Sequence, residues 1–158
     1  MQVGDLAPDF ELASDDGSTV RLSDVLSRGP VVLFFYPRAM TPGCTAESCH
    51  FRDLAGEFAA VGGQRLGISA DSVDRQRQFR DKHEFDYPLL SDGDKAVAKE
   101  FGVKRPLVPF NRRATFVIDT DRRVLAVIES ERDMEKHADD ALAVLRARRA
   151  TPGGLADK

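Results

Sequence analysis

The sequence predicts an α/β fold: a mixed central β-sheet flanked by helices and preceded by an N-terminal β-hairpin. Three observations predict it. Residues 31–36 are an unbroken apolar run ended by Pro37, the pattern of a strand buried on both faces. Strand and helix patterns then alternate along the chain, with neither an internal repeat nor a linker between them, which is the signature of a sheet covered by helices. Finally, two strand patterns, Ala114–Ile118 and Val124–Glu129, are separated only by a turn at residues 119–123 and should pair as a hairpin.

The remaining elements follow in order. Asp15, Asp16 and Gly17 are a turn signal inside the opening segment and place the small hairpin there. Thr41 and Pro42 read as a helix start, with Thr at the N-cap and Pro at the first helical position. Phe51, Leu54, Ala55, Phe58 and Val61 recur at helical spacing until Gly62 and Gly63 stop the helix. Residues 64–70 read as a second strand, and Asp71 and Ser72 open a polar helix to about Phe85. Residues 87–90 form a short strand, residues 94–101 a short helix stopped by Gly102, and a last helix runs from Met134 to Arg149. This order, βαβ followed by ββα, fits a thioredoxin-like architecture within one domain, residues 1–150, followed by a flexible tail at 151–158.

Composition narrows the function classes. Of 158 residues, 42% are hydrophobic and 31% charged, as in an ordinary soluble globular domain. A net charge of −3 argues against nucleic-acid binding, which needs a basic surface. No apolar run approaches the ~18 residues of a membrane span. The first residues lack the basic and apolar regions of a signal peptide, so the expected compartment is the cytoplasm. In that reducing setting the two cysteines, Cys44 and Cys49, suit catalytic or redox chemistry better than a structural staple. Two inert buried thiols are the alternative.

The chemistry concentrates between Pro37 and Cys49. With Thr41 as N-cap, Cys44 falls in the first helical turn, where free backbone N–H groups and the helix dipole favour a thiolate. Gly43 leaves room for a small substrate, and the Thr41 hydroxyl can lie near the sulfur and exchange hydrogen bonds with a bound oxygen. Thr41 could equally be a plain cap, and Pro37 plain turn geometry or a cover that keeps water from the thiolate. Cys49 stands five residues beyond Cys44, so on an intact helix the side chains diverge by about 140° and their Cα atoms lie beyond the ~7 Å that a disulfide tolerates. A bond between them requires the first turns to unwind. Cys44, Cys49 and His50 make a poor metal set, with three ligands on divergent faces. His50, His83 and His137 have no partner readable in the sequence.

The pattern of Pro37, Thr41 and Cys44, with Cys49 five residues on and a distal Arg, resembles the active-site motif of the peroxiredoxins. The segment 41–45 with its second Cys is similar to the Q-type subfamily, also called bacterioferritin comigratory proteins, and the likeness extends from Gly4 to the last helix. It implies that Cys44 is the peroxidatic cysteine and Cys49 the resolving one, with Pro37 and Thr41 filling the other motif positions. It also implies an active-site Arg just before a strand. Arg113 matches that context best and the adjacent Arg112 is the alternative register.

The activity so implied is a thiol-dependent reduction of hydrogen peroxide and organic hydroperoxides. It would pass through a sulfenic acid on Cys44 and an intramolecular Cys44–Cys49 disulfide, recycled by thioredoxin or a glutaredoxin-like donor, with no metal or other cofactor. An intramolecular resolving thiol needs no partner subunit, so a monomer is expected and a dimer is the alternative. The apolar stretch 106–110 could favour organic hydroperoxides or simply pack. A redox sensor using the same switch, and a structural module with inert thiols, remain the rival readings.

Overall fold

The computed structural model describes residues 1–105 and 111–150. The apolar stretch 106–110 and the tail 151–158 lie outside the described residues. In chain order the elements are β1 (Glu11–Ser14), β2 (Thr19–Arg21), α1 (Leu22–Leu26), β3 (Val31–Phe35), α2 (Pro42–Asp53), α3 (Ala55–Ala60), β4 (Gln64–Ser69), α4 (Val73–His83), β5 (Leu89–Ser91), α5 (Ala96–Glu100), β6 (Ala114–Ile118), β7 (Val124–Glu129) and α6 (Met134–Ala150). The strands form one mixed sheet in the order β2-β1-β5-β4-β3-β6-β7. β3 runs parallel to β4 and antiparallel to β6, and β1 with β2 is the N-terminal hairpin.

β3 is the central strand, and its alternation divides the core. Val31, Leu33 and Phe35 face one cluster, built with Leu22, Val25 and Leu26 of α1 and Val97 and Ala98 of α5. Val32 and Phe34, joined by Tyr36, face the other, built from α2, α3, α4 and α6 through Phe51, Phe58, Phe79 and Leu142. A strand covered on both sides must be apolar at every position, which is why the alternating polar pattern is missing here. Phe34 stacks on Phe51 with ring centroids 4.2 Å apart and so fixes α2 on the sheet. Truncating either ring would cost about 3–5 kcal/mol. β4 makes room for this at Gly67, where a Cβ would meet Leu89 Cδ2 at 2.8 Å and Phe34 Cζ at 3.0 Å.

Three helical details differ from the sequence expectation. The single helix expected from Thr41 to Gly62 is broken at Leu54 (φ −94°, ψ 18°) into α2 and α3. The Phe51 carbonyl at the break accepts a hydrogen bond from Arg65 Nη1 of β4 at 2.8 Å, an outside donor competing for a group that helix continuation would use. The one-turn helix α1 has no counterpart in the sequence reading. Its first turn is held by Asp9, whose carboxylate accepts from Ser23 N at 2.9 Å and Ser23 Oγ at 2.8 Å, a cap that comes from a residue remote in sequence. α4 is capped as expected by Ser72, which accepts from Arg75 N, but it ends at His83, with Glu84 in the left-handed region. No helix among the described residues is long and apolar enough to cross a membrane.

Candidate active site

Register brings the site together. Antiparallel pairing sets Ala114 of β6 opposite Phe35 of β3. Residue 113 therefore enters the sheet where β3 leaves it for α2. The connection from β3 to α2 is constrained. Ala39 N donates to Asp71 Oδ2 at 2.7 Å, and Met40 adopts a left-handed φ of 69°, a conformation costing of order 1 kcal/mol for a non-glycine residue. Half-buried Pro37 lies in this connection.

Cys44 sits in the first turn of α2, after Pro42 and Gly43, and is fully buried. Arg113 Nη2 lies 3.4 Å from its sulfur, and Arg113 Nη1 donates to Glu47 Oε1 at 2.6 Å. Gly43 leaves this approach uncrowded, since a Cβ there would stand 3.2 Å from Arg113 Nη2 and 3.3 Å from Met134 Sδ and press both side chains back by a few tenths of an ångström. Arg112 turns the other way and pairs with the exposed Glu129. Arg113 is anchored through its backbone as well, its N–H donating to Glu131 Oε2 at 3.0 Å.

Thr41 occupies the N-cap position (φ −82°, ψ 155°), but its side chain does not cap the helix. The hydroxyl donates back to the Arg38 carbonyl at 2.9 Å, so the side-chain cap expected from the sequence is replaced by a bond within the preceding loop. The Thr41 carbonyl still accepts from Thr45 N at 2.9 Å.

Cys49, in the second turn after Cys44, is a free thiol like Cys44. It is half-buried against the core cluster beneath α2, and burial pushes its thiol up. α2 is unbroken between the two cysteines.

Sequence reasoning missed two residues of this site. Glu47 is fully buried on the Cys44 face of α2. Burial pushes its carboxyl up to about 8, against the opposing pull of Arg113. His137 of α6 is also fully buried, with Nδ1 3.6 Å from Glu47 Oε2, and burial holds its ring below the usual imidazole range. Glu47 lies three residues after Cys44 on a stripe with Ser48 and Phe51, so a carboxylate on an otherwise core-facing stripe was the available signal. His137 gave none, since its partners come from other elements. For Arg113, burial opposes its charge, but Glu47 and Cys44 outweigh it and raise its pKa. His50 instead pairs with Asp139 at 2.7 Å. Among the described residues no group of three or more His, Cys, Asp or Glu side chains could hold a metal ion.

A buried sulfur beside a fixed guanidinium can carry negative charge and direct it at a small electrophile. Comparisons with known proteins supply the family. Residues 3–127 match the AhpC/TSA family. The peroxiredoxin Bcp of Bacillus subtilis is 36% identical over 152 residues, covering 92% of this chain and 96% of that protein. The crystal structure of the peroxidoxin BcpB of Mycobacterium tuberculosis superposes with a TM-score of 0.90 at 60% identity, covering 93% of this chain and 97% of that one. The bacterioferritin comigratory protein of Xanthomonas campestris, studied in trapped intermediate and ligand complexes for alkyl peroxide reduction, gives a TM-score of 0.85 at 32% identity over 94% of this chain and 99% of that one.

Proposed function

From the premise that the chain belongs to the AhpC/TSA family and is a thiol-dependent peroxidase of the Bcp/Q peroxiredoxin type, we propose that Cys44 is its peroxidatic nucleophile, Cys49 its resolving thiol and Arg113 the cation that serves the reaction. The observation that carries this assignment is the 3.4 Å approach of Arg113 Nη2 to Cys44 Sγ. The Cys44 thiolate attacks the terminal oxygen of ROOH. An S–O bond forms, the O–O bond breaks, and the departing alkoxide takes a proton to leave as ROH. Arg113 stabilises negative charge on the sulfur before the reaction and on the peroxide oxygens during it. The Gly43 and Cys44 amides, not used by a Thr41 side-chain cap, are placed to add hydrogen bonds. Thr41 and Pro37 shape the loop over the first turn of α2.

Cys44 is then a sulfenic acid. The start of α2 unwinds, the Cys49 thiol gives up its proton and its sulfur attacks the Cys44 sulfur, so the S–S bond forms as the S–O bond breaks and the departing hydroxide takes up that proton to leave as water. A dithiol protein of the thioredoxin or glutaredoxin type returns both thiols by exchange. The raised pKa of Cys49 keeps it a poor competitor for peroxide. Hydrogen peroxide and alkyl hydroperoxides are the proposed substrates, the second supported by the activity studied in the Xanthomonas relative. The free state of both thiols suits a reducing cytoplasm, and a monomer suffices for the cycle. Residues 1–150 are the catalytic domain.

The test mixes the reduced protein with one equivalent of hydrogen peroxide and follows free thiols and intact mass by rapid quench. Loss of two thiols and about two mass units, abolished in Cys44→Ser, is the result expected for a sulfenate resolved as a disulfide. Two intact thiols after seconds with both hydrogen peroxide and an organic hydroperoxide would overturn the assignment.

A further inference from the structure

Behind the sulfur lies a buried polar chain that the reaction above does not use. Glu47 presents Oε1 to Arg113, while Oε2 is buried and has no hydrogen-bond partner among the described residues. Such an orphaned oxygen is costly, so what faces it matters. His137 Nδ1 faces it at 3.6 Å. The ring is pinned at both nitrogens: Nε2 lies 2.8 Å from the Ser130 carbonyl, and Nδ1 lies 2.7 Å from Thr115 Oγ1. A carbonyl can only accept, so Nε2 carries the proton, and in the neutral ring Nδ1 accepts from the Thr115 hydroxyl. Three elements, α2, β6 and α6, thus converge on one carboxylate. The titratable and charged groups that bear on the ring are Glu47 from α2, Arg113 from the residue before β6, and Glu131 and Asp133 from the connection into α6.

We propose that His137 is a positioning residue for the Cys44 centre: its pinned ring backs the Glu47 carboxylate and keeps it turned toward the guanidinium that faces the sulfur. It touches neither the sulfur nor a substrate bound there, and acts through Glu47 and Arg113. The ring fills the space behind Oε2 with an uncharged nitrogen rather than with water. Glu47 can then swing neither toward solvent nor onto a second cation, and Arg113 keeps one hand on the carboxylate and the other on Cys44. In relation to peroxide reduction, this inference rests on the assignment of Cys44 as nucleophile.

The test reads the Cys44 thiol directly, through the pH profile of its alkylation by iodoacetamide in a Cys49→Ser background, alongside the rate with hydrogen peroxide. His137→Leu keeps the bulk and removes both nitrogens. It is expected to lower alkylation at pH 7 about tenfold and to move the profile up by about one pH unit, as an unpinned side chain behind Oε2 lets the carboxylate turn away from the guanidinium. His137→Asn, whose amide stands where Nδ1 stood, is expected to recover most of the loss. Adding His137→Leu to Glu47→Gln should cost nothing beyond Glu47→Gln alone, because both act through one contact. A folded His137→Leu protein with the wild-type profile, or losses that add to those of Glu47→Gln, would overturn the proposal. If His137→Leu does not fold, Thr115→Val unpins the same nitrogen, and an unmoved profile in that variant overturns it equally. Alkylation needs no peroxide, so a failure of the peroxidase assignment would show as normal alkylation without peroxide consumption and be told apart from a failure of this one.

Discussion

The first and second turns of α2 each hold one thiol, and their surroundings are opposite in kind. Cys44 is the more deeply buried, yet its sulfur faces a guanidinium at 3.4 Å that is itself fixed by a carboxylate. Cys49 is half-buried against apolar neighbours, and burial outweighs the pull of nearby Arg52 and pushes its thiol up. Exposure therefore ranks the two in the wrong order for reactivity. A buried sulfur becomes a nucleophile when its desolvation is matched by a fixed cation, and stays a poor one when it is not.

The largest expected effect tests that contrast directly. Cys44→Ser should reduce the rate of peroxide consumption by about three orders of magnitude or more, since an alcohol replaces the thiolate. Cys49→Ser should leave the first turnover intact and abolish thioredoxin-linked cycling. Single-turnover stopped-flow and a coupled steady-state assay separate the two, and equal damage to the first turnover would erase the distinction between the turns.

Next comes the cation. Arg113→Met should lower the second-order rate with hydrogen peroxide by about 10²–10³-fold, the usual loss when a fixed charge-stabilising donor is removed. Arg112→Met, which breaks an exposed pair with Glu129, should change it by less than about twofold. Comparable losses in both variants would contradict the geometry at the sulfur.

A smaller effect concerns stability and pH. Glu47 holds its proton more tightly when folded, its pKa rising from 4.5 to about 8 through burial. The folded state therefore binds more protons than the unfolded state between those values. This contribution to stability is fully present below pH 4.5 and is lost as pH rises through about 8, the sign linkage requires for an acid with a raised folded pKa. Glu47→Gln should flatten the fall of Tm across that window, and an unchanged slope would show that Arg113 keeps the carboxylate ionised. The smallest effect is at Thr41, whose hydroxyl, among the described residues, bonds only the Arg38 carbonyl. Thr41→Val should cost about 1 kcal/mol, measurable by denaturant unfolding, without the larger penalty of losing a true helix cap.

How legible this was from the sequence depended on where each contact originates. β3, the β6–β7 hairpin and the start of α2 were readable because their signals are local: an apolar run, a turn, a Thr-Pro step. Cys44 was readable from its place in the first turn after the Thr-Pro step, but Arg113 could be named only through a resemblance, since the two lie 69 residues apart and meet through the β3–β6 register. What escaped is what depends on partners from other elements. The cap of α1 comes from Asp9, the break at Leu54 from Arg65, and the meaning of His137 from Thr115, Ser130 and Glu47. Thr41 shows the converse: the right residue at the right position, whose hydroxyl turns elsewhere.

The clamp at the far end of α2 gives the helix a direction of opening. Arg65 grips the Phe51 carbonyl and is itself tied to Asp86 by paired bonds of 2.9 and 2.7 Å. One turn earlier, the Tyr87 hydroxyl donates to the Ser48 carbonyl at 2.8 Å. The opposite end has neither a side-chain cap nor an acidic residue in its first turn. Fraying therefore begins at Pro42 and halts at Ser48, and the amides of residues 43–47 should exchange with solvent deuterium ahead of those from 50 onward. Cys44 lies in the part that moves and Cys49 just past the stop, so in the proposed disulfide step it is the oxidised sulfur that travels while its partner waits in place.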